Sequence, residues 1–284
     1  MIYLLIVSLL WAFSFGLIKG QLTNLDPIFV AFARLVIALL VFMPFFRWKK
    51  FKAQWPLLLI GAVQFGLMYI FYIYSYQWLK SFQVALFTIF TPLYVTLLED
   101  LLRKKFHALH LGAALLSVLG TGIILWTEID SRQIVVGFLF VQASNLCFAL
   151  GQILYRKKRL KSNGIKEEAQ IFAALYLGAA LITGLAALCS VPWQTIVLTK
   201  NQIWTLIYLG ILASGFGFFL WNYGALKVNA GTLAVFNNLK IPLAIGVSLL
   251  IFGETTDIVR LLAGGTLVGM ALWINEKFSY KLKS

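Results

Sequence analysis

Ten apolar runs of membrane-spanning length, set apart by short breaks, constrain this chain more than any other feature of it. A helix needs roughly 20 mostly apolar residues to cross about 30 Å of hydrocarbon. The runs cover residues 2–20, 27–46, 56–79, 82–102, 108–127, 134–155, 168–190, 203–224, 229–252 and 258–275. Turn and interface signals mark the breaks: Asp26-Pro27, Trp55-Pro56, Pro192-Trp193, Asn229 and Gly253-Glu254. Lipid offers no hydrogen bonds to an exposed backbone, so runs of this length are read as helices. Only 12% of the residues are charged and 61% are apolar, too little charge to solvate the surface of a soluble domain. The expected fold is therefore an all-α integral membrane protein with ten transmembrane helices. Several breaks span only two to six residues, which makes neighbouring helices antiparallel. Met1 leads straight into apolar residues without a basic segment or a small-residue cleavage site. The first run is thus expected to be a retained span.

The net charge of +14 suits either nucleic acid or a membrane flank. The positions of the bases decide for the membrane. Arg47, Lys49, Lys50 and Lys52 follow the second span, and Arg103, Lys104 and Lys105 follow the fourth. Arg156 to Arg159, Lys161 and Lys166 follow the sixth, Lys227 follows the eighth, and Lys277, Lys281 and Lys283 end the chain. The opposite loops hold little beyond Lys80, Arg132, Lys200 and Arg260. Basic loops stay in the cytoplasm, so both termini are expected there, in a bacterial cytoplasmic membrane, with no nucleic-acid partner. Cys147 and Cys189 lie in apolar runs without a CxxC spacing, and His107 and His110 are scattered imidazoles; neither pair suggests a metal site.

The two halves of the chain resemble each other. One junction reads YSYQWLKSFQVALFTIFTPLYVTLL from Tyr74, and another reads LWNYGALKVNAGTLAVFNNLKIPLAIGVSLL from Leu220. Each has an aromatic stretch, a Leu-Lys at the turn, and then a helix interrupted by proline, Pro92 or Pro242. An odd number of spans per repeat inserts the second copy upside down, and inverted repeats with interrupted helices mark secondary transporters. The expected halves are 1–130 and 131–284, each of five helices.

At this point the sequence resembles a known family, the EamA branch of the drug/metabolite transporter superfamily. The resemblance rests on LLWAFSFGLIK (Leu9 to Lys19), FARLVIALL (Phe32 to Leu40), YLGILASGFGFFLWNYGALKVNAGTLA (Tyr208 to Ala234) and the stretch from Pro242 to Gly253-Glu254. It implies a ten-helix carrier in two inverted repeats, with spans one to four and six to nine around the cavity and five and ten as buttresses. In the first half, Arg103-Lys104 replaces the Gly-Glu that usually closes span four.

Several embedded residues are candidates for a solute site. Lys240 lies near the middle of span nine, where a lysine costs about 2.5–3.5 kcal/mol unless it faces protein or a wet cavity. Asn237 and Asn238 bring amides next to it, and Pro242 frees a backbone carbonyl there. Together they would form the polar floor of a cavity; the alternative is a structural pair with another helix. Arg34 sits about two turns inside span two and keeps its charge almost anywhere, and the resemblance implies a place near the cavity wall. Pairing with Asp26 or snorkelling is the competing reading. Tyr69, Tyr72 and Tyr76 share one helical face, and with Trp11, Trp221 and Asn222 they could line a cavity or simply mark an interface. Asn145, beside Gln142 and Gln152, is the most central polar residue of span six. Glu99 is a candidate for coupling to a proton gradient, against simple pairing with Arg103 one turn on. Gly265 and Gly269 form a GxxxG in span ten, usable for a homodimer or for packing within a monomer.

No phosphate-binding loop and no nucleophile–base constellation occurs in the sequence, so neither ATP drive, enzymatic activity nor a cofactor is expected. The reading is a secondary transporter that moves a small polar metabolite by alternating access, an amino acid or a carboxylate-bearing compound being favoured by the cationic floor. Efflux of drugs or amines, or exchange of a metabolite like S-adenosylmethionine, is the alternative within transport. A membrane enzyme on lipid-linked substrates would need clustered acids or histidines, and a scaffold would not need embedded polar residues.

Overall fold

Backbone groups in lipid must find partners within their own segment, and among the described residues all regular secondary structure is helical, with no strand. The structure, a computed structural model, describes residues 2–48, 51–103, 116, 119–120, 123, 132–158, 164–227, 240–241, 243–253 and 257–281. In the numbering of the apolar runs, six helices among the described residues are long and apolar enough to cross a membrane. They are span one (Ile2–Leu22), two (Pro27–Phe45), three (Gln54–Ser75), six (Arg132–Lys158), seven (Ile165–Ser190) and eight (Lys200–Ala225). Span four is broken, helical over Ser81–Phe87 and Thr91–Arg103 with a 3-10 turn at Thr88–Phe90 between them. Span nine is helical where it is described, at 240–241 and 243–250, and span ten runs over Ile258–Lys281. Most of span five, with Asn237, Asn238 and Pro242, lies outside the described residues.

Local chemistry sets the ends of these helices. Asp26 accepts hydrogen bonds from the backbone N–H groups of Ile28 (2.8 Å) and Phe29 (2.9 Å), with Pro27 in the first turn. This N-cap starts span two and satisfies donors that would otherwise be orphaned. Span eight begins with a reciprocal cap. Thr199 Oγ1 accepts from the Gln202 backbone (3.3 Å), and Gln202 Oε1 accepts from the Thr199 backbone (2.9 Å).

Span two packs on span seven, span three on seven, span eight on two, span one on eight, and span six on three. Exchanging one with six, two with seven and three with eight maps this set of neighbours onto itself. Spans three and eight also share a winding change: each loosens to π geometry, at Ala62–Leu67 and at Leu209–Phe216. The two-repeat organisation is thus visible in the packing. Large apolar side chains such as Leu40, Leu188 and Leu250 are exposed on the outside of the bundle, as expected where lipid is the solvent.

Glycines permit the closest helix approach. A Cβ on Gly61 would stand 1.9 Å from the Leu175 carbonyl oxygen, and one on Gly178 would stand 1.9 Å from that of Leu58. Spans three and seven therefore meet backbone to backbone at two reciprocal points. Gly265 and Gly269 behave otherwise: a Cβ at either would meet nothing within 4 Å. The GxxxG of span ten is not used for packing among the described residues.

Candidate functional site

A partly open cavity of about 80 Å³ lies inside the bundle. Span one supplies Trp11, Ser14 and Phe15, span two Arg34, and span three Met68, Tyr69 and Tyr72. Span four adds Thr88 and Thr91, span six Ser144, Asn145 and Phe148, span eight Phe218, and span nine Lys240. Span seven stands behind this wall. The structure thus brings Lys240, Arg34, Tyr72, Asn145 and Trp11 together from five spans.

Arg34 dominates the chemistry of the cavity. Its side chain is 2% exposed. Nη2 donates to the Tyr69 hydroxyl (2.9 Å) and to Ser214 Oγ (3.1 Å), and Nε also points to Ser214 Oγ (3.3 Å). The Tyr69 and Ser214 hydroxyls bond each other at 2.9 Å, and the guanidinium lies 4.5 Å from the centre of the Tyr69 ring. Its partners are neutral, and no carboxylate pairs with it among the described residues. Nη1 is buried without a hydrogen-bond partner. Asp26, the acid nearest in sequence, is occupied as the cap of the same helix. A buried cation held only by neutral groups, with a donor left over, is suited to receive an anion.

The other walls are mainly aromatic. Tyr72 bonds Tyr76 hydroxyl to hydroxyl at 2.7 Å and meets the Phe15 ring edge-on at 6.1 Å. Trp11 Nε1 donates to the Ala213 carbonyl (3.0 Å), and its ring packs on Phe218 and on Trp221. The Lys240 ammonium lies 5.3 Å from the centre of the Trp11 ring, and its residue is 7% exposed. An ammonium over indole is held by the ring quadrupole, so Lys240 lies on the cavity wall with an aromatic neighbour.

Asn145 borders the same space but its amide is committed. Its Nδ2 donates to the Phe87 carbonyl (2.9 Å), and its Oδ1 accepts from Thr91 Oγ1 (3.0 Å). Those bonds bracket the 3-10 turn that precedes Pro92. Asn145 therefore steadies the break in span four, where helix winding leaves carbonyls open. Replacing Asn145 by alanine is expected to lower stability by about 1–3 kcal/mol, read as a fall in the thermal midpoint of the purified protein.

Trp221 and Asn222 are buried at 1% exposure but do not reach the cavity lining. Trp221 instead backs Trp11, with ring centres 5.2 Å apart. Glu99 belongs to the helix Thr91–Arg103, and its side chain lies outside the described residues. Tyr69 was legible as part of the tyrosine face, whereas Ser214 and Tyr176 were not singled out by sequence. The one available signal was a serine between Ala213 and Gly215 in LASGFGF, deep in an apolar run.

A largely aromatic cavity with a few buried polar groups, lined by helices from both halves of a two-repeat bundle, is the arrangement of a membrane carrier for small solutes. The chain belongs to the EamA-like transporter family, which matches residues 1–126 and 135–275. Among its relatives is a "Probable biotin transporter" of Pseudomonas aeruginosa, 39% identical over 277 residues and covering 96% of both chains. The "Biotin transporter" proteins of Salmonella typhimurium and of Escherichia coli K12 are each 36% identical, over 98% of this chain and 93% of theirs. A crystal structure with 17% identity shares the fold, with a TM-score of 0.69 over 100% of this chain and 98% of that one. The protein is a transporter of a small metabolite.

Proposed function

We propose that the metabolite is biotin, moved by alternating access with its carboxylate on Arg34. The observation that carries this reading is the buried Arg34 guanidinium, which has neutral partners only and keeps Nη1 unpaired. Biotin joins one carboxylate, on an aliphatic chain, to an uncharged bicycle with a urea. A cavity with one anion-seeking fork and aromatic walls complements both parts. Lys240 is a second donor, placed to meet the urea oxygen beside Trp11. An amino acid, an amine drug or S-adenosylmethionine would bring a cation, and no acid lines the cavity among the described residues. The names of the relatives support biotin over the amino acids that a cationic site also suits.

The same reading places the protein in a bacterial inner membrane with both termini cytoplasmic, by the distribution of its basic loops. The halves 1–130 and 131–284 would rock about the cavity. The direct test is the thermal midpoint of purified protein with biotin, biotin amide, lysine or S-adenosylmethionine. A ligand of the folded state raises the midpoint by mass action, about 2.7 kcal/mol at a hundredfold excess over Kd. Biotin is expected to stabilise and its amide to do so far less. Stabilisation by a cationic solute without any by biotin overturns the proposal.

A further inference from the structure

The π-wound stretch Leu209–Phe216 carries Ser214, the residue on which Arg34 rests. Wider winding displaces backbone carbonyls from their ordinary helical partners, and in lipid these need other donors. Here the donors come from outside the helix. The Ala213 carbonyl accepts from Trp11 Nε1 at 3.0 Å. The Ser214 carbonyl accepts from the Tyr176 hydroxyl at 2.5 Å, and the Gly215 carbonyl shares that hydroxyl at 3.0 Å. Spans one and seven thus hold three consecutive carbonyls of span eight.

The register of this stretch matters for the cavity. If it relaxed to α winding, the removal of one residue's worth of slack would turn the following part of the helix by about 100° relative to the preceding part. Ser214 would then leave Arg34, and the guanidinium would lose the neighbour that aims its fork. Tyr176 is 0% exposed and does not line the cavity, so it acts on the solute only through Ser214. Its ring is stacked on Phe65 at 5.4 Å and packed on Phe42 at 5.5 Å. The hydroxyl can therefore be removed with the packing retained.

We infer that Tyr176 is a positioning residue for carboxylate recognition, its hydroxyl locking the π-wound stretch of span eight in the register that keeps Ser214 against Arg34. This rests on the reading of Arg34 as the carboxylate site. The test is uptake into proteoliposomes, comparing biotin with its amide as competitors, for wild type, Tyr176→Phe, Arg34→Gln and Thr183→Val. Thr183 is a buried hydroxyl on the same span that bonds its own helix at Ala179 (2.8 Å), so its loss controls for a merely structural effect.

Tyr176→Phe is expected to raise KM for biotin about three- to tenfold with the maximal rate retained. The preference for acid over amide falls by the same factor, and amide exchange through residues 209–216 becomes faster. Thr183→Val leaves the preference at the wild-type value. If Arg34→Gln abolishes the preference while Tyr176→Phe retains it, this inference is overturned and the carboxylate site stands. If Arg34→Gln itself retains the preference, the reading of the site has failed. Should Tyr176→Phe not fold, hydrogen exchange of the unaltered protein decides. Biotin must slow exchange at 209–216 more than at 183–190, and equal effects on both overturn the inference.

Discussion

Replacing Arg34 by glutamine is expected to weaken biotin uptake at least 30-fold and to leave biotin and its amide nearly equal as competitors. Truncating one partner of a buried, hydrogen-bonded charge pair costs about 2–5 kcal/mol, and each 1.4 kcal/mol is tenfold. The effect is large because nothing else described in the cavity repeats the fork of Arg34. Glutamine keeps a donor near Tyr69 and Ser214 but removes the positive charge. Arg34→Lys separates the two contributions. It keeps the charge and loses the planar pair of donors, so an intermediate loss is expected. Uptake of radiolabelled biotin by proteoliposomes measures both. Wild-type kinetics in Arg34→Gln would remove the carboxylate from this end of the cavity.

Substitution of Gly178 by valine is expected to be the most damaging single change to assembly. The new Cβ would meet the Leu58 carbonyl oxygen at 1.9 Å and its carbon at 2.5 Å. A flexible side chain could yield, but a helix backbone moves only as a unit. Spans three and seven must therefore separate, losing the packing that surrounds the reciprocal contact at Gly61. Overpacking typically costs 1–3 kcal/mol, and a backbone obstacle on both sides puts this case at about 3 kcal/mol or above. Gly246→Ala is the contrast, since a Cβ there meets nothing within 4 Å. That change is expected to be neutral or to stabilise by about 0.5–1 kcal/mol through the helix propensity of alanine. Thermal midpoints of the purified variants should differ in these opposite directions. A Gly178→Val protein as stable as wild type would mean that spans three and seven are farther apart than described.

Both predictions depend on contacts that cross the whole chain, and this separates what was legible early from what was not. The run lengths, the break at Asp26-Pro27 and the exposed apolar surface follow from local physics, since a segment in lipid must satisfy its own backbone and cover itself with apolar side chains. The same reasoning singled out Arg34 and Lys240, because a charge in such a run is costly wherever it points. It did not separate Trp11 on the cavity wall from Trp221 behind it, nor Tyr72 from an ordinary interface tyrosine. Nor did it show that Asn145 is taken up by the break in span four.

Apolar run lengths alone determined a helical membrane protein, and the paired Leu-Lys and proline junctions its two related halves, with a few embedded polar residues that needed an explanation. Only the tertiary structure decided which of them share a cavity, that Arg34 rests on Tyr69 and Ser214, and that Tyr176 holds the π-wound stretch. The physical reason is distance along the chain. Ser214 stands 180 residues from Arg34, and each side chain is unremarkable until helix packing brings the two within hydrogen-bonding reach.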